Sequence, residues 1–311
     1  MKINALFLLT IACSYTTLFA QVELDTVVAQ KGDGIFSILR RSGIHPVNYY
    51  VDFLELNKDN IRGASQLVVG RKYVLPHAPD SYKNMGTLVD VDGNEELPLF
   101  TTDLAGIKQR DSTLKNTVYH LIYPTIKTKE EEKSPLDEFI LKLSKDLMER
   151  GARVYVFQKN NMIFPVDTVA SEVERAIAAF GELTSMVNKK YLKHNGSYQR
   201  VLMIRDVNRN KNGISMAMYH YGKSTDGKHL AATFRDLFKK NALGKVKIEQ
   251  GISPFTDAPN LYLAKNLLPS LTIMDINGDM NGIPIRSRKS ALPGLITEGI
   301  LQDYATVNSA D

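Results

Sequence analysis

LKLSKDLMERGARVY, residues 141–155, changes its period once, and that change decides the fold class. Up to Leu147 the apolar positions Leu136, Phe139, Ile140, Leu143 and Leu147 recur every three or four residues, which lays one apolar stripe along a helix. Gly151-Ala152 ends the run, and residues 153–157 read as a strand. The same alternation extends outward. Strands are expected at 117–122, 200–204, 214–221 and 271–274, with helices at 169–188, 230–241 and 292–304. Strands alternating with helices make residues 116–307 a doubly wound α/β domain.

Upstream, the sequence divides into three further parts. Residues 1–20 read as a signal peptide: Lys2 gives a positive start, an apolar run follows, and Leu18-Phe19-Ala20 before Gln21 suits a peptidase. The protein is therefore expected to be exported, to the periplasm or cell envelope. Cys13, the only cysteine, is also readable as a lipoprotein attachment site, although Thr10-Ile11-Ala12 matches the usual small-residue box poorly. Loss of Cys13 with the leader leaves no thiol for a nucleophile, a metal or a disulfide. Residues 78–115, punctuated by Pro79, Gly86, Gly93 and Asn94, read as a linker with short strands and a hairpin turn at Gly93-Asn94. A net charge of +5 over 311 residues suits contact with anionic polymers but is too small to argue for nucleic acid.

Residues 25–77 read as strand, helix, helix, strand. Lys31, Gly32, Asp33, Ile35, Ile38, Gly43, Asn57, Leu67, Gly70, Tyr73, Val74 and Pro76 give this βααβ unit a pattern that resembles a LysM module. It departs at Gly34, where that family usually has threonine, and in a longer stretch between Gly43 and Asn57. The resemblance implies binding of peptidoglycan or another N-acetylglucosamine glycan, between the loop of Gly32, Asp33, Gly34 and Ile35 and the loop from Asn57 to Ile61. Glycines expose amides for an N-acetyl carbonyl, and Ile35 would pack on its methyl. The alternative is a tight turn that merely caps a helix through Asp33.

The larger domain carries PLF from Pro98, LKNTVY from Leu114, YQRVLMI from Tyr198, YGKSTDGKHLA from Tyr221, NLYLAKNLLPS from Asn260 and LITEGILQDYA from Leu295. With the 141–155 stretch, these resemble the zinc-dependent N-acetylmuramoyl-L-alanine amidases, in the family's order. That family holds zinc with a histidine in a loop after the first strand, a glutamate opening the next helix and a histidine ending a later strand. A second glutamate activates the water. Here the positions read Pro124, Glu132, Arg205 and Met274, with Asp275 one residue later. Proline has no ligand atom, arginine opposes a dication, and methionine is no base. The resemblance thus implies an amidase-like scaffold without resident zinc or the family's catalysis, acting in wall binding or envelope assembly. Two alternatives remain: a working amidase with an unusual metal set, which would need zinc, and a structural subunit that docks an envelope protein.

No other motif supplies the missing chemistry. His120 lies four residues before Pro124, too far down the strand to replace it, and His220 reads as a strand residue satisfied locally. Arg205, Asp206 and Glu132 are expected to form an ion pair where the metal would stand. The series Asp206, Asn208, Asn210 and Asp275, Asn277, Asp279 alternate oxygen ligands but lack the glycine and distal glutamate of a calcium loop. Gly222-Lys223-Ser224 lacks the upstream glycine of a phosphate loop, with Ala217 in its place.

Overall fold

A computed structural model describes residues 25–63, 65–102, 104–125, 134–160, 170–207, 215–241, 247–277 and 292–309. The expected leader, Cys13, Glu132, Asn208, Asn210 and Asp279 lie outside the described residues. The chain forms two compact units: the described residues up to Leu39 with Pro46–His77, and Arg40–His45 with everything from Ala78.

In the smaller unit β1 (Thr26–Val28) pairs antiparallel with β2 (Lys72–Val74), with Val27 opposite Tyr73. Between them run α1 (Ile35–Arg41) and α2 (Pro46–Leu56). The order is the expected βααβ. Phe53 of α2 stacks on Tyr73 at 6.0 Å between ring centroids, and both are fully buried. Asn57, just past α2, clamps the unit: its amide nitrogen donates to the carbonyls of Phe53 and Val74, both at 2.8 Å, and its oxygen accepts the Val74 N–H at 2.7 Å.

The larger unit is built on an eight-stranded mixed sheet. Its strands are β3 (Gly86–Asp90), β4 (Glu95–Pro98), β5 (Thr117–Thr125), β6 (Arg153–Asn160), β7 (Tyr198–Asp206), β8 (Ser215–His220), β9 (Lys247–Gly251) and β10 (Leu271–Asn277). Their spatial order is β4-β3-β6-β5-β7-β10-β8-β9. The five from β3 to β10 run parallel, while β4 and the pair β8 and β9 run against them. The segment expected to be a linker supplies α3 (Tyr82–Met85), β3 and β4, so it builds one edge of the sheet. Asn94 takes the left-handed conformation, with φ 51°, in the hairpin turn between β3 and β4.

Helices cover both faces, as a doubly wound domain requires. One apolar layer receives α4 (Pro135–Met148), α6 (Thr225–Asn241) and α8 (Leu292–Asn308), and the other receives α5 (Ala170–Lys193) and α7 (Ala258–Asn266). Ser134 and Asp137 form a capping box that starts α4 one residue before the expected Leu136. Gly299 lets α8 approach α6 closely, since a Cβ there would sit 2.5 Å from the Phe234 ring. Among the described residues no helix is long and apolar enough to cross a membrane.

Candidate functional site

Strand alternation sorts the expected site residues. Ile122, Met203 and Ile273 share the apolar layer that faces α5 and α7, while Leu121, Ile204 and Met274 share the opposite one. Two positions further along each strand on the α5 side come Pro124, Arg205 and Asp275. The register pairs Asp275 with Arg205 and Ile122 with Met203. Continued by two residues, the second pairing sets Pro124 beside Arg205. The three therefore form a row across adjacent parallel strands, near their carboxyl ends, where open α/β sheets carry their ligands. Met274 stands on the other face, wholly buried in the layer of α6 and α8, and so corresponds to nothing in the row.

Arg205 and Asp275 meet there. Arg205 Nε donates to Asp275 Oδ1 at 2.5 Å, and its Nη2 to Oδ2 at 2.8 Å. Both side chains are at least nine-tenths buried. A two-pronged, charge-assisted pair of this kind fixes both side chains. The ion pair was expected among Arg205, Asp206 and Glu132; Glu132 lies outside the described residues, and the structure joins Arg205 to Asp275.

The row extends to β6, where Lys159 pairs with Pro124 in register. Lys159 donates to Asp92 at 2.8 Å and lies 3.3 Å from Glu182. Burial alone would lower its pKa, but the hydrogen bonds and charges of the two carboxylates outweigh that and hold it above the ordinary lysine value. Sequence reasoning missed Lys159. Its signal was parity with Tyr155 and Phe157 on one strand.

Three histidines are engaged elsewhere. His120 is buried, with Nε2 at 3.0 Å from Gln199 Oε1. Gln199 donates its own amide to the carbonyls of Tyr191 and His194, so its oxygen faces His120 and makes Nε2 the donor. Burial pushes the His120 pKa down to about 4, against the opposing Gln199 bond. His194, bonded to the Tyr155 hydroxyl at 2.7 Å, is also lowered to about 4, by burial and then by the charges of Arg153, Lys193 and Lys190. His220 lies opposite Thr272, at the far end of β10 from Asp275, and bonds the Tyr221 carbonyl. Ser224 accepts the Gly227 N–H at 3.0 Å and so caps α6, which leaves the Gly222 turn a helix start.

These histidines predict a pH dependence. An unfolded histidine takes up its proton near 6.5, while His120 stays neutral in the fold to about 4. Between these values the unfolded state binds more protons, so stability is full above pH 6.5 and falls as pH drops towards 4. His120 alone gives a slope of up to about 1.4 kcal/mol per pH unit. Urea melts of wild type and His120→Gln across this range should differ in slope by about that amount. Equal slopes would refute the assignment.

Among the described residues no group of three or more His, Cys, Asp or Glu is placed to hold a metal ion. The row itself offers one carboxylate, held by an arginine, beside a proline. These residues do not fit catalytic zinc, which needs three protein donors and an open position.

In the smaller unit, the expected glycan residues fall into two groups. Ile35 and Asn57 are interior, so neither side chain is presented to a sugar. The Gly34 amide donates to Ser37 Oγ at 2.9 Å, and Asp33 accepts the Gln30 N–H at 2.7 Å. The N-acetyl contacts expected of Ile35 and the Gly34 amide are therefore replaced by internal ones. Gly32, with φ +91°, and Gly34 both have open space where a Cβ would stand, and Ile61 is half-buried.

No protein-family model and no curated protein matches the chain. Its similar solved structures include several amidases. The catalytic domain of an endolysin targeting Clostridia difficile is 15% identical, with a TM-score of 0.37, over 59% of this chain and 97% of that one. An amidase from Clostridioides difficile, solved in complex with a lipoprotein, is 9% identical, with a TM-score of 0.35, over 62% and 99%. An N-acetylmuramoyl-L-alanine amidase of Nostoc punctiforme is 16% identical, with a TM-score of 0.33, over 62% and 97%.

Proposed function

We infer that this chain is an exported, peptidoglycan-associated protein that binds the wall without hydrolysing it. The observation that carries the reading is the Arg205–Asp275 pair. It sets a two-pronged ion pair near the carboxyl end of the central strands, at the place where an amidase-like scaffold would offer its metal ligands. Wall contact is assigned to the LysM-like unit, through the exposed turn of Gly32 and Gly34 and the half-buried Ile61. The leader-like residues 1–20 support export to the periplasm or envelope.

The mature protein should co-sediment with purified sacculi and release no stem peptide from them. Gly34→Glu is the informative variant. Its Cβ enters open space, and Gly34 does not take a left-handed conformation, so the fold should survive. A charge in the turn should then reduce sedimentation severalfold with an unchanged melting temperature. Sedimentation of the variant equal to wild type would remove the turn from the binding site. Stem-peptide release by wild type would overturn the non-hydrolytic reading.

A further inference from the structure

A cleft of about 240 Å³ opens between the β3–β4 edge and the last turns of α5. Lys190 and Glu96 close across it at 2.5 Å, and Lys190, nine-tenths buried, also lies 5.2 Å above the Tyr155 ring. This bridge holds the two walls together and neutralises itself. Lys189 and Lys193 line the helix wall, Glu95 lines the strand wall, and Val89 and Met186 add apolar surface. Among the described residues, no ion pair joins these two lysines or Glu95 to any partner.

Lysines four apart on one helix face repel each other, at a small cost to the helix. Their charge already reaches into the fold, because Lys193 and Lys190 help to depress the His194 pKa. Basic residues at a helix end favour its dipole, but that does not explain a carboxylate on the opposite wall. A cleft with cations on one wall, an anion on the other and apolar surface between them complements a molecule with the same three parts.

We propose that the cleft between the β3–β4 edge and α5 binds a small zwitterion: an amino acid or short peptide with a free carboxylate, a free ammonium and a small apolar side chain. The carboxylate lies against Lys189 and Lys193, the ammonium against Glu95, and the side chain on Val89 and Met186. The volume is below the usual range for drug-sized ligands, which suits one or two residues.

An NMR titration of the isotope-labelled mature chain with L-alanyl-L-alanine tests this. Saturable shifts are expected at α5 and β4, with millimolar affinity. Exposed ion pairs of this kind are worth about fivefold each, so N-acetylation or C-terminal amidation of the peptide should each weaken binding by about that factor. Lys189→Gln with Lys193→Gln, and Glu95→Gln, should do the same without lowering the melting temperature. Absence of saturable binding overturns the proposal. So does an acetylated peptide, or inorganic phosphate, that binds as tightly as the free dipeptide.

Discussion

Replacing Asp275 with alanine is expected to destabilise the larger unit by about 3–5 kcal/mol, the usual consequence of removing one partner of a buried ion pair. Arg205 then keeps its charge, because a guanidinium does not shed its proton inside a protein. It loses both short hydrogen bonds to Asp275 at a site where its side chain is about 5% exposed. Set against a total stability of about 5–15 kcal/mol for an ordinary domain, that is a large fraction. Denaturant melts should show the midpoint fall, with the single variants Asp275→Ala and Arg205→Ala both affected. Joint replacement by Arg205→Met and Asp275→Leu should recover most of the loss, because apolar residues of similar volume commonly substitute for a buried pair at little cost. A loss of under about 1 kcal/mol for Asp275→Ala would mean that the pair is effectively solvated, as surface pairs are. The observation behind the proposed function would then lose its force.

That pair also shows where sequence reading stops. The apolar stripe of α4, the stop at Gly151 and the alternating strands are local patterns, and they placed the core elements to within a few residues. Besides the single-turn α3, two elements were missed for local reasons. β9, with Lys247 and Glu249 in a short edge strand, carries too little apolar alternation to register. α7 is short, and its start signal was the Asp257 cap, which accepts the Asn260 N–H at 2.8 Å. α6 begins at Thr225, ahead of the expected Leu230, because Ser224 caps a polar first turn that has no apolar periodicity. The site is another matter. Arg205 and Asp275 are seventy residues apart, and only the pairing of β7 with β10 brings them together. A one-residue shift of that register would have presented Met274 instead, so the choice between Met274 and Asp275 was unreadable without the sheet. In the smaller unit, the motif residues Ile35 and Asn57 were legible as positions, but their burial was not.

The row makes a second prediction, that a metal site can be put into it with two substitutions. Pro124→His and Arg205→His would place imidazoles on neighbouring parallel strands, on one face and at one level, with Asp275 on the next strand. Neighbouring strands lie about 4.8 Å apart, so three such side chains can converge on one ion with bonds of about 2.0–2.2 Å. Removing Arg205 also removes the fixed charge that opposes a dication and frees the Asp275 carboxylate. The double variant is expected to bind one zinc per chain. Its stability should rise by about 2.7 kcal/mol when free zinc is a hundredfold above the dissociation constant. Wild type should show no such rise, and Asp275→Ala in the double variant should abolish it. Metal analysis after dialysis, with melts at stepped zinc concentrations, reads all three. The sharpest contrary result is a folded double variant that takes up no zinc. Pro124, Arg205 and Asp275 would then not share the row that the register gives them. Tight zinc in wild type would be equally decisive, because a site holding Arg205 and Pro124 has no means of binding it. Residues beyond the row would then have to supply the ligands, and the protein would return to the class of metal-dependent hydrolases.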